Sequence, residues 1–151
     1  MKQINIFFGS QTGNAQNLAN VIGEALKNEG LDQQVIDMAE FNPEDIHQLQ
    51  FALIVTSTYG DGEPPDNASE WMSYLKFNEQ LDLSHLSYAV LGLGDSYYPH
   101  FCQSGKDFDH YLSKHGGNIL VSRLDCDRYY EEQYGPWLEE LIKVLKDKLQ
   151  E

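Results

Sequence analysis

The chain has 151 residues, 41% of them apolar and 23% charged, enough for one core and typical of a globular protein. With 24 acidic residues against 10 basic ones the net charge is −14, and the cations are too dispersed to grip a nucleic-acid backbone. No apolar run approaches the roughly 20 residues of a membrane span, and MKQINIFFGS is too short in its apolar part for a secretory leader.

The elements follow in chain order. INIFF (Ile4–Phe8) reads as a short buried strand. Leu18, Val21, Ile22, Ala25 and Leu26 fall on one helix face, and Gly30 ends that helix. QVIDM (Gln34–Met38) is a second strand, and Asn42–Pro43 reads as an N-cap followed by a proline opening a short turn to about Leu49. FALIVTS (Phe51–Ser57) is apolar on consecutive positions, as expected of a parallel strand covered on both faces. Ala68, Trp71, Met72 and Leu75 mark a helix, SYAVLGLG (Ser87–Gly94) a fourth strand, and Phe108, Tyr111 and Leu112 another helix. NILVSRL (Asn118–Leu124) is the expected fifth strand, and Trp137, Leu138, Leu141, Ile142 and Leu145 mark the last helix.

Five strands alternating with helices imply an α/β fold, a parallel sheet with helices on both faces. Ligands in such sheets bind beyond the carboxyl ends of the strands. Three loops follow strands and carry glycines, hydroxyls or aromatics: Gly9–Ala15, Ser57–Asp66 and Leu93–Phe101. All three therefore share one rim.

The first loop passes directly into a helix, whose free N–H groups and dipole favour an anion. Ser10, Gln11, Thr12 and Asn14 add neutral donors, but the loop has no Lys, so it is not a Walker A motif. Without a cation or a magnesium partner, phosphoryl transfer is disfavoured, and a phosphate held as a handle fits better. In the other loops Tyr59 and Tyr98 could enclose a flat ring, with Tyr97 and Phe101 as further candidates.

SQTGNA, STYGDGEPPDNA and LGLGDSYYPHFCQSGKDFD, in that order and spacing, resemble the phosphate loop and the two flavin-ring loops of the flavodoxins. The likeness is nearest to the FMN domains of diflavin reductases of the sulfite reductase and cytochrome P450 reductase type, and it spans nearly the whole chain. It implies a flavodoxin-like three-layer α/β/α sandwich with a five-stranded parallel sheet of order 2-1-3-4-5. It implies FMN as cofactor and a one-electron carrier as function. Ser10, Gln11, Thr12, Gly13, Asn14 and Ala15 would wrap the phosphate. Ser57, Thr58, Tyr59, Gly60, Asp61 and Gly62 would line one side of the ring, the Gly60–Asp61 peptide facing flavin N5. Leu93, Gly94, Asp95, Tyr97, Tyr98 and Phe101 would form the other side, with Cys102 behind and Asp127 near the ribityl edge.

Tyr59 stands where many flavodoxins carry Trp, and no long insertion interrupts the fifth strand, which indicates the short-chain type. With no reductase domain after Gln150, one free-standing FMN domain over residues 1–151 is expected, and a monomer. The alternatives are the electron-entry domain of a diflavin reductase and a flavodoxin-like activator of a metalloenzyme. A phosphoacceptor receiver domain would need Asp at the end of the third strand, where Thr56 and Ser57 stand.

An acidic rim of Asp61, Glu63, Asp66, Asp95 and Asp127 would disfavour an anionic reduced flavin and dock redox partners with basic faces. The expected donor is an NAD(P)H-dependent reductase, with no nucleic acid and no membrane among the partners. The two cysteines are too few for a disulfide framework and point to a reduced, cytoplasmic protein. The five histidines show no metal-ligand spacing, His110 and His115 are expected to be solvated, and Cys102 is expected to pack rather than react.

Overall fold

A computed structural model describes residues 3–10, 13–58 and 62–150. The elements are β1 (Ile4–Gly9), α1 (Asn14–Asn28), β2 (Gln33–Asp37), β3 (Phe51–Ser57), α2 (Ser69–Phe77), β4 (Ser87–Leu93), α3 (Gln103–Lys114), β5 (Asn118–Ile119), β6 (Leu124–Cys126) and α4 (Tyr134–Leu149). Every strand pair is parallel, and the sheet runs β2-β1-β3-β4-β5 with β6 also on the outer edge of β4.

Strand side chains alternate between two cores, as the twofold strand period requires. Ile4, Ile6 and Phe8 of β1, Leu53 and Val55 of β3, and Leu91 of β4 pack under α1 and α4, against Leu18, Ile22, Trp137 and Leu141. Phe7, Ala52, Ile54, Tyr88 and Val90 face the opposite way, toward Trp71 and Leu75 of α2 and Phe108 and Leu112 of α3. Two helices on each face complete the three layers. On the second face Phe7, Phe41 and Trp71 form an aromatic cluster with ring centroids 4.7–5.6 Å apart, and the Trp71 indole donates to the Phe41 carbonyl.

The local punctuation acts as read. Gly30, at φ 76°, ends α1: its N–H donates to the Lys27 carbonyl and the Leu31 N–H to that of Leu26, a Schellman closure that needs the left-handed backbone. Asn42 caps a 3-10 turn at Pro43–Gln48 through the Glu44 N–H. Gly105 sets the depth of α3, because a Cβ there would lie 3.1 Å from the Gly92 Cα on β4.

The expected fifth strand departs from the sequence reading, because it is split. Ile119 pairs with Tyr88 and Leu124 with Leu91, so the edge advances five residues while β4 advances three. The intervening residues bulge out of the ladder. There the Ser122 carbonyl accepts from the Trp137 indole at 2.9 Å, and Arg123 bridges Asp109 at 2.6 Å and Asp125 at 2.9 Å. The run NILVSRL is apolar enough for a strand, but an edge position with one neighbour lets tertiary partners take its groups. His115 is a second correction. It is buried rather than solvated, with Nε2 2.6 Å from the Leu75 carbonyl. Among the described residues no helix is long and apolar enough to cross a membrane.

Candidate functional site

The chain leaves β1 toward β2 on one side, and β3 lies on the other, so the strand order reverses at the carboxyl end of β1. A cleft of about 690 Å³ opens at this rim. It gathers Asn14 from the first loop, Ser57 and Thr58 from the second, Leu93, Gly94, Asp95, Tyr98 and Cys102 from the third, and Asp127. These nine come from all the segments that the sequence singled out. Arg128 and Tyr130 complete the lining.

At the end of β1, Ser10 Oγ accepts from the Gly13 N–H at 3.1 Å, and Gly13 takes φ 87° as the N-cap of α1. Its carbonyl opens the helix by accepting from the Asn17 N–H. Among the described residues no side chain caps α1. The positive end of this helix thus opens where Asn14 meets the cleft. The Ala15 side chain is fully buried in the core beneath α1. Gln11 and Thr12 lie outside the described residues.

The second loop is fastened at its start by hydroxyls. Thr58 Oγ1 accepts from the Ser104 N–H at 2.9 Å, and the Ser104 hydroxyl lies 3.0 Å from that of the fully buried Thr56. Gly62, at φ 98°, packs on the third loop, where a Cβ would lie 3.1 Å from that of His100. Tyr59, Gly60 and Asp61 are outside the described residues.

In the third loop Tyr98 is 59% exposed yet lines the cleft, so one large aromatic surface faces open space. Tyr97 is 84% exposed and stands edge-on to Tyr98 at 5.4 Å. Phe101 is half-buried under the Lys106 ammonium, 5.8 Å from its ring centre. The Cys102 backbone is left-handed at φ 53°, alone in this among the described non-glycine residues. Its sulfur is buried 3.5 Å from the Cys126 carbonyl. Burial, with Asp125 and Cys126 nearby, pushes the Cys102 thiol up to about 12, and burial beside Asp125 pushes Cys126 up to about 11. Both are therefore packing thiols rather than nucleophiles.

Asp127 reaches across to hold this loop. Its carboxylate accepts from the Ser96 hydroxyl, from the Ser96 N–H at 3.0 Å and from the Arg128 N–H at 2.8 Å. The Ser96 hydrogen bonds, with that from Arg128, hold its carboxyl below the usual carboxylate range. Arg128 is the one cation lining the cleft among the described residues, with Nε 3.7 Å from Asp95 Oδ2. Ser96, Arg128 and Asn67, whose amide lies between the first two loops, were missed in the sequence. Ser96 and Asn67 lie inside quoted motifs and Arg128 follows Asp127, but nothing local marked their partners. No group of three potential metal ligands occurs among the described residues.

Comparison with known proteins bears on this geometry. The sulfite reductase [NADPH] flavoprotein alpha-component of Bacillus subtilis is 42% identical over 146 residues, covering 97% of this chain, and that of Buchnera aphidicola is 43% identical over 144 residues, covering 95%. The chain spans about a quarter of the length of these curated relatives (24% of each). Among solved structures, the flavodoxin of Streptococcus pneumonia TIGR4 superposes with a TM-score of 0.85 at 31% identity, covering 97% of this chain and 99% of that one. A point mutant of Pseudomonas aeruginosa flavodoxin gives 0.81 at 27% identity, covering 95% and 99%. The Flavodoxin family model matches residues 6–137, and with the strand order and the rim cleft already in place the chain belongs to the flavodoxin family, as an FMN-binding electron carrier.

Proposed function

We propose that the cleft at the β1–β3 switch point seats FMN with its phosphate at the start of α1 and its ring against Tyr98. The observation that carries this reading is the pairing, on one cavity, of a helix N-terminus without a side-chain cap among the described residues and a half-exposed aromatic. The residues fit the group. The volume lies within the range of small-molecule sites, and the phosphate end offers N–H groups and neutral donors. Gly94 also keeps the wall thin, since a Cβ there would lie 3.0 Å from the Cys102 N–H nitrogen. When bound, FMN supplies the electron acceptance and release.

The chain positions, shields and tunes it. Ser10 shapes the phosphate loop through Gly13, and Thr58 and Ser104 hold the second loop. Asp127 fixes the third loop through Ser96. Asp95 and Asp127 place negative charge on the cleft wall, with Arg128 as partial compensation. That charge opposes accumulation of a second negative charge on the flavin and steers redox partners with basic faces to the exposed edge. Such encounters are weak and short-lived.

The ring-side role is tested by Tyr98→Ala, with flavin binding followed by fluorescence quenching. The expected result is weaker binding of FMN and of riboflavin to a similar degree, because only the ring contact is removed. Unchanged affinity for both would remove Tyr98 from the site.

A second reading, the electron-entry module of a larger NADPH-dependent reductase, draws on the sulfite reductase relatives, in which this length is about a quarter of the protein. Sequencing the native transcript separates a free carrier from a module.

A further inference from the structure

The chain sets 24 acidic residues against ten Lys and Arg, so each cation has more than two carboxylates to choose from. Even so, Lys106 and Lys114 form no ion pair among the described residues. Each ammonium lies instead over an aromatic ring, Lys106 5.8 Å from the centre of Phe101 and Lys114 5.9 Å from that of Tyr111. Both line one cavity of about 690 Å³ between α3 and the outer edge of the sheet, with His110, Ser113, Ile119 and Arg123.

The acids beside this cavity are already engaged. Asp109 takes the Arg123 guanidinium at 2.6 Å and the Tyr88 hydroxyl at 2.9 Å. Asp125 takes the same guanidinium at 2.9 Å, and Asp107 accepts from the Gln103 amide at 2.8 Å. Arg123 is thus a fixed, neutralised wall, and the two ammoniums carry the uncompensated charge.

Their spacing selects a ligand shape. Lys106, His110 and Lys114 recur every four residues and so form one stripe along α3. At 1.5 Å per residue the two lysine Cα atoms stand about 12 Å apart. An extended chain rises about 3.3 Å per residue with alternate side chains on one face, so its residues i and i+4 are about 13 Å apart and i+2 lies midway. Carboxylates on alternate residues would therefore meet Lys106, His110 and Lys114 in turn, whereas a compact anion meets one end of the stripe. The sheet edge suits the same shape. Among the described residues β5 pairs with β4 alone, and Ile119 on it is half exposed beside the charges.

We propose that the α3 stripe and the β5 edge form a docking surface for an acidic, extended segment of a partner protein, with carboxylates four residues apart on Lys106 and Lys114. The stripe begins at the third loop, because Lys106 rests on Phe101, and runs down α3 away from the cleft. An electron carrier of net charge −14 thereby gains a second hold on its partner, opposite in sign to the rest of its surface, and that hold fixes the orientation of docking. The inference does not depend on how the cleft seats FMN.

The test uses the full chain, isotopically labelled, and the synthetic peptide Thr-Glu-Thr-Glu-Thr-Glu-Thr with blocked ends, at low ionic strength. Amide chemical shifts are expected to move along α3 and around β5, and to return as salt is added. Lys106→Gln and Lys114→Gln are each expected to weaken binding about two- to fivefold, and Lys106→Glu with Lys114→Glu on the order of tenfold or more. Lys143→Glu, an exposed position on α4 across the sheet, is expected to bind as the wild type does. Unchanged shifts elsewhere in each variant show that the fold is kept, and the two Gln variants suffice if the double reversal does not fold. Four outcomes would each overturn the inference: no movement in α3, binding that survives the double reversal, equal binding of the peptide with Gln in place of Glu, or equal binding of Thr-Thr-Glu-Glu-Glu-Thr-Thr. Inorganic phosphate that moved the same amides with the same affinity at matched ionic strength would also overturn it, by showing a site for a compact anion.

Discussion

The two ring-side loops are tied down differently. The loop after β3 ends in a neutral amide, Asn67, part-buried between Ser10 and Asp37. The loop after β4 is held by a carboxylate, Asp127, reaching from beyond β6 to the Ser96 backbone and hydroxyl. Both devices satisfy a loop N–H that would otherwise need water. They differ in what disturbs them. The amide does not titrate, whereas the carboxylate accepts a charge-assisted bond only while ionised. The first tie links the loop to the phosphate end, and the second links its loop to the outer edge of the sheet. One rim thus has a side tied by a group that does not titrate and a side tied by one that does.

The largest effect is expected from the scaffold beneath the third loop. Gly105→Leu places side-chain atoms against β4, where the Gly92 Cα leaves no room and backbone cannot yield cheaply. A loss of about 1–3 kcal/mol is expected, as for other overpacked cores, read as a lower midpoint in thermal unfolding. FMN affinity should fall with it, because α3 begins directly after Cys102. Retained stability would show that α3 can lift off β4 without cost.

Next comes Tyr98→Ala. The aromatic contact alone is worth about 0.5–1.5 kcal/mol, so FMN affinity is expected to fall several-fold to about tenfold. Asn67→Ala should differ in kind, reducing the advantage of FMN over riboflavin, while Tyr98→Ala leaves that ratio unchanged. Equal changes of the ratio would erase the contrast between the two loops.

Acidity discriminates more finely. The native carboxyl of Asp127 is held below its unfolded value, so its contribution is fully present above that unfolded value, near ~3.9. It is lost as pH falls through the lower native value. Amide exchange at Ser96 should therefore accelerate, after correction for intrinsic rates, only as pH drops below about 4. In Asp127→Asn that step should disappear, and the Ser10 amide should show no such step from Asn67.

The smallest effect is on chemistry that the fold suppresses. With thiols pushed up to about 12 and about 11, Cys102 and Cys126 should react slowly with a disulfide reagent at pH 8 and rapidly once unfolded. Rapid labelling of the native chain would place a sulfur at the surface. Electron transfer to a basic partner should also slow as ionic strength rises, by a modest factor per doubling of salt.

Much of this was legible locally. FALIVTS forms β3 from Phe51 to Ser57 as read, because a central strand is paired and covered on both sides and its pattern meets no competing demand. NILVSRL did not remain one strand, because at the edge of β4 the Ser122 carbonyl and the Arg123 guanidinium found better partners in α4 and on Asp109. His115 looked solvated by spacing, yet it lies at the end of α3 where the Leu75 carbonyl of α2 needed a donor. The glycine and hydroxyl loops announced a binding rim. Asn67 did not announce itself, since its two partners are 57 and 30 residues away.

Apolar periodicity and turn chemistry determined which segments became strands and helices and which three loops would share a rim, because those preferences are set by residues a few positions apart. The tertiary structure alone decided where the outer strand breaks and which amide or carboxylate ties each loop. Those outcomes depend on hydrogen-bond partners and packing contacts that exist only once distant segments meet.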